Sequence, residues 1–127
     1  SREFMVQPYL KNILDEREYS LLLFDGKFSQ YLLKKPKEKD FRVQEEHGGN
    51  IQPKNVSPEI ISIAENIFNK LSTVPLYGRA DLVRTNENDF ALMEFELIEP
   101  SLYLNKDEYS PARFAKAIND RLTKSAV

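Results

Sequence analysis

Residues 77–101 read YGRADLVRTNENDFALMEFELIEPS, and they hold three acids in a pattern that core packing does not ask for. Asp81 sits among the apolar residues Ala80, Leu82 and Val83, two positions after Arg79. Glu94 and Glu96 are themselves two apart, so in an extended strand both side chains leave from the same face. Like charges side by side on a sheet face repel, and the repulsion grows as the face loses water. A solvated face is the ordinary account of a lone Glu-x-Glu. Here, though, the residues between and beside the acids (Met93, Phe95, Leu97) are apolar, and one face collects Arg79, Asp81, Glu94 and Glu96 together. A divalent cation would relieve that repulsion. An all-oxygen set of Asp81, Glu94 and Glu96 suits Mg²⁺ or Mn²⁺.

Two strands must carry these groups, with residues 85–89 (TNEND) as their turn. Upstream, the run FMVQPYL at 4–10 predicts a short strand, at an edge or strand end because Pro8 cannot donate to a ladder. Residues 11–17 form a charged connection. EYSLLLF at 18–24 predicts a strong strand, Asp25-Gly26 a type I′ hairpin turn, and KFSQYLL at 27–33 the partner strand. Ser57-Pro58-Glu59 is a helix start: a capping hydroxyl, a proline at the first helical position and an acid at the positive end of the dipole. Ile60, Ala64, Ile67, Phe68 and Leu71 then recur at spacings of three and four, ending before Pro75. Ser110-Pro111 repeats the start, and Phe114, Ala115, Ile118 and Leu122 mark a second amphipathic helix. The expected fold is α+β, a mostly antiparallel sheet with two main helices packed on one face.

Residues 34–55, KKPKEKDFRVQEEHGGNIQPKN, have no sustained period beyond a short strand expected at 41–44. Long loops of this kind in compact domains are often functional. Lys34, Lys35, Lys37 and Lys39 followed by Arg42 and by Gly48-Gly49 could contact phosphate, since consecutive glycines let backbone amides approach an anion.

The 127 residues suffice for one domain with a single core, and 41% hydrophobic with 30% charged residues place the chain among globular proteins. A net charge of −2 argues against bulk phosphate neutralisation of a nucleic acid. There is no cysteine, so thiolate metal sites and disulfides are excluded. No run approaches the roughly 18 apolar residues of a membrane span. Neither a nucleophile elbow nor a GxxxxGK[ST] loop is present. A cytoplasmic location is expected.

Taken in order, VQPYL, the acid of EYS, the hairpin, Lys-Lys, DFR…GG, RAD and MEFE resemble the C-terminal half of an ATP-grasp domain, as in glutathione synthetase, the ribosomal-protein glutamate ligases and D-alanine–D-alanine ligase. KKPKEKDFRVQEEHGG is nearest to the glutathione-synthetase type, and the resemblance covers almost the whole chain. It implies an ATP- and Mg²⁺-dependent carboxylate–amine ligase that works through an acylphosphate, with ATP and a small carboxylate and amine as partners. By the same resemblance, Gln7 and the backbone through Tyr9 and Leu10 would line the adenine pocket, and Glu18 would hold the ribose. Lys34 or Lys35 would lie near the phosphates. Arg42 and the Gly48-Gly49 loop would cover the reacting centre, and Arg79 would stabilise the transferring phosphoryl group. Asp81 and Glu94 would be metal ligands, with Glu94 bridging two ions. The family usually has Asn two residues later, where this chain has Glu96 and one more negative charge. The resemblance also implies a preceding grasp subdomain and an N-terminal substrate domain outside these residues, so this stretch alone is not expected to turn over. The competing expectation is a non-catalytic nucleotide-binding or interaction module on a degenerate grasp fold.

Overall fold

A computed structural model describes residues 2–34 and 56–125. Among these residues four strands form one antiparallel sheet in the order β2-β1-β3-β4. The strands are β1 (Glu18–Phe24), β2 (Lys27–Lys34), β3 (Tyr77–Arg84) and β4 (Phe90–Glu96). They are joined by helices α1 (Asn12–Asp15), α2 (Pro58–Asn69) and α3 (Ser110–Ser125), with one 3₁₀ turn at Leu104–Lys106. This is the α+β class expected from the sequence.

The hairpin forms because Asp25 and Gly26 both take positive φ, 51° and 75°, the pairing a type I′ turn requires. Its ladder is not uniform. Leu23 faces Phe28 but Leu22 faces Gln30, so Ser29 stands out as an extra residue and Gln30 shares the face of Leu22. A second shift lies between β3 and β4, where Asp81 faces Glu94 but Leu82 faces Leu92.

Helix α2 begins as its sequence predicts, with Ser57 Oγ accepting from Ile60 N at 3.4 Å and Pro58 in the first turn. Its apolar stripe, Ile60, Ala64 and Phe68, is buried against Leu21, Leu23, Tyr31, Ala80 and Leu82 on one sheet face. Each fully buried Ile, Leu or Phe among them contributes about 1.5–3 kcal/mol. The fit is close: a Cβ on Gly78 would lie 2.6 Å from Phe68 Cζ, so only glycine lets the ring rest on β3.

The alternate residues of the same strands, Glu18, Ser20, Leu22 and Phe24 on β1 with Tyr77, Arg79, Asp81 and Val83 on β3, form the opposite face. Helix α3 meets this face at its end, where Phe114 packs on Phe24 with ring centroids 4.8 Å apart and edge-on to Tyr77 at 6.0 Å. The two main helices therefore meet the sheet from different sides, not from the one face expected from the sequence.

Two local expectations give way. Residues 4–10 form no strand. Phe4, Met5 and Val6 are 83%, 91% and 90% exposed, and the run, already short of a donor at Pro8, pairs with neither edge of the sheet. The start of α3 is held by Asp107 rather than by the Ser110 hydroxyl. Asp107 Oδ1 accepts from Tyr109 N at 2.9 Å, whereas Ser110 Oγ is buried with no hydrogen-bond partner among the described residues.

Candidate active site

The register across all four strands assembles one charged row on the face opposite α2. Glu18 stands opposite Lys34 on β2, Ser20 opposite Asp81 on β3, and Asp81 opposite Glu94 on β4, while Arg79 is opposite Glu96. The centre of the row is Asp81, whose side chain is 1% exposed. Its two oxygens accept Arg79 Nε at 3.0 and 3.2 Å, Arg79 Nη2 at 3.0 Å and Lys34 Nζ at 3.1 Å. Lys34 Nζ also lies 3.6 Å from Glu18 Oε1. Arg79 Nη2 reaches outward to Glu96 at 2.8 Å and Glu94 at 3.5 Å. The row thus runs from a dry interior to a wet rim, where the Glu94 side chain is 56% exposed.

Four carboxylates face two cations in this row, and the surplus negative charge shows in the proton affinities. Burial, and then the charge of Asp81, push the Glu18 carboxyl up to about 7 against the opposing pull of Lys34. Glu94 is raised by partial burial, by its hydrogen bond with Glu96 and by the charges of Glu96 and Asp81. Burial works against the Arg79 cation, but its hydrogen bonds and charge contact with Asp81 outweigh that and hold it more firmly protonated. Perturbed groups gathered in this way are a mark of functional sites.

The structure brings together Glu18, Lys34, Arg79, Asp81, Glu94 and Glu96, six of the residues singled out in the sequence. The hydrogen bonding does not arrange the acids as a preformed metal cage. Among the described residues no three His, Cys, Asp or Glu groups stand together at metal-holding spacing. Arg79 and Lys34 occupy the space between the acids instead. Gln7 and Tyr9 are exposed, Leu10 is half-buried, and neither Gln7 nor Tyr9 makes a hydrogen bond or ion pair with another described residue. Lys35, Arg42, Gly48, Gly49 and the strand expected at 41–44 lie outside the described residues.

One participant was not singled out from the sequence. Gln30, 4% exposed, donates to the carbonyls of Leu102 and Tyr103 on the connection that follows β4. Its neighbours carry no motif; only a buried polar residue within an apolar strand could have drawn notice.

A family model for the prokaryotic glutathione synthetase ATP-grasp domain matches residues 1–79, and the chain belongs to that family. It is 30% identical over 129 residues to the cycloserine biosynthesis protein DcsG of Streptomyces lavendulae, a match that covers 93% of this chain and 42% of that protein. A crystal structure of the D-cycloserine synthetase DcsG superposes with a TM-score of 0.72 at 27% identity, over 91% of this chain and 41% of that one. The chain therefore spans about two fifths of the length of the relatives it matches. Its family and fold are those of an ATP-dependent ligase-type domain.

Proposed function

We propose that this chain is the ATP- and Mg²⁺-binding C-terminal subdomain of a ligase that joins a carboxylate to an amine through an acylphosphate, within a larger protein that contributes a preceding grasp subdomain and a substrate domain. The observation that carries the reading is the row itself. It gathers buried Arg79 and Asp81 and half-buried Lys34 with rim acids Glu94 and Glu96 on the face that α2 does not use, at a cost in desolvation that a stability role would not justify.

The donor chemistry fits a hard divalent cation, because every available ligand is a carboxylate oxygen and the row holds two more acids than bases. Asp81, Glu94 and Glu96 would hold it, and when bound it would neutralise phosphate charge and polarise the transferring group. The chain's own residues do the rest. Arg79 presents its guanidinium between Asp81 and Glu96, where it can steady charge that develops on a transferring phosphoryl group. Lys34 supplies a second cation on the interior side, and Glu18 supplies an acceptor for ribose hydroxyls. No nucleophile or histidine base is called for, since such transfer depends on positioning and charge neutralisation.

The test is Glu94→Gln in the full-length protein, followed by Mg²⁺-dependent ADP release. The variant should lose it, and near-normal release would overturn the assignment. One observation favours a second reading, a nucleotide-binding module without chemistry: both oxygens of Asp81 are already taken by Arg79 and Lys34. That module would bind Mg-ATP in a calorimetric titration and release no ADP.

A further inference from the structure

Gln30 occupies a place that its type does not explain. The irregularity at Ser29 sets it opposite Leu22, in a cross-strand row that continues through Arg79 to Glu96. Its amide nitrogen donates to Leu102 O at 3.2 Å and Tyr103 O at 3.0 Å. Both partners are carbonyls, which only accept, and Ser29 Oγ donates to Gln30 Oε1 at 3.2 Å, so the network fixes which way the amide points. Ser29 Oγ in turn receives Arg113 Nε at 2.8 Å, and Arg113 Nη2 reaches Asp107 Oδ1 at 2.7 Å.

The consequence is topological. The connection leaves the sheet from β4, at one edge, and is caught by β2, at the other. It must therefore cross the face above β3 and β1, where Leu22 is 0% and Arg79 5% exposed. Tyr103, on this connection, is close enough to act electrostatically on Arg79. The crossing is shaped by unusual backbone, since Glu99 and Tyr103 take φ of 53° and 47°, a region that residues other than glycine seldom visit.

We propose that Gln30 is a positioning residue for Arg79: it fastens the β4–α3 connection across the sheet, and that strap keeps water from the guanidinium and holds its fork between Asp81 and Glu96. The role attached to Arg79 rests on the ligase reading; the fastening does not. Gln30→Met keeps the length of the side chain and removes both donated bonds. In the full-length protein, the backbone amides of Glu99 and of residues 101–106 and the Arg79 Nε–H should each exchange with solvent about fivefold faster, the loss expected for two hydrogen bonds at the low end of their range. Preference for Mg-ATP over Mg-ADP, measured by calorimetry, should fall about fivefold, close to one hydrogen bond's worth, and Gln30→Met should add nothing further in an Arg79→Lys background. Unchanged exchange at 99–106, a freed loop with unchanged Arg79 Nε–H exchange, or additive effects of the two substitutions would each overturn the proposal. If the wild-type protein binds neither nucleotide, the ligase reading fails, and the two exchange rates alone decide the role of Gln30.

Discussion

Replacing Asp81 with asparagine keeps the size of the side chain and removes one charge from the middle of the row. Asp81 is 1% exposed and faces Arg79 and Lys34, whose side chains are 6% and 11% exposed, so water cannot take its place. Removing one member of a buried ion pair costs about 3–5 kcal/mol, because the partner charge is left behind. Three features place this site at the lower end of that range. Arg79 keeps Glu96 at 2.8 Å, Lys34 keeps Glu18 at 3.6 Å, and the repulsion of Asp81 on Glu18 and Glu94 disappears. The expectation is a loss of about 3 kcal/mol, which for a domain of this size lowers Tm by about 10 °C. Urea unfolding in a chelator should show a lower midpoint at unchanged slope, so that bound metal contributes nothing to the comparison. A loss below about 1 kcal/mol, the value of an exposed pair, would refute the claim that Asp81 holds two cations away from water.

Gly78→Ala should destabilise by about 1–3 kcal/mol through overpacking against Phe68, and urea unfolding will measure it; an unchanged midpoint would show that the ring can retreat. Glu18 titrates at about 7 in the fold against an ordinary 4.5, so the native state holds the extra proton between those values. Its contribution to stability is complete below pH 4.5, fades as pH rises and is gone above about 7, a slope that Glu18→Gln should lessen, leaving what the raised Glu94 contributes, when metal-free urea midpoints are compared across that window. Saturating Mg²⁺ should raise Tm of the wild-type protein through linkage, and the rise should vanish when Glu94 and Glu96 are both changed to Gln.

Much of this molecule was legible because its signals are local. Asp25-Gly26 specifies a turn that only positive φ can make, and Ser57-Pro58 specifies a cap from four consecutive residues. The spacing within RAD and MEFE also set Arg79, Asp81, Glu94 and Glu96 on one face before any pairing was known. Other features depend on partners far along the chain. FMVQPYL has a strand's composition, but composition does not supply an edge to pair with. Ser110 resembles Ser57, yet Asp107 reaches the free amide of Tyr109 first. That Lys34 meets Asp81 depends on the register of β1 with both β2 and β3, and Gln30 is set on the site face by an irregularity that no motif announces. The carboxylates were expected to call for a cation, and within the fold part of that demand is met by Arg79 and Lys34.

The strand order has a consequence for how this molecule folds. The hairpin β1–β2 and the pair β3–β4 can each close locally, but each holds only part of the charged row: Glu18 and Lys34 in the first, and Arg79, Asp81, Glu94 and Glu96 in the second. Lys34 and Asp81 are 47 positions apart, and they meet only when β1 docks on β3, the closure with the largest loop entropy in the sheet. Until that step the acids and bases stay hydrated and their mutual fields are screened. Formation of the complete row therefore coincides with completion of the fold, and a partly assembled molecule has neither the buried Arg79 nor the raised acids of the finished one.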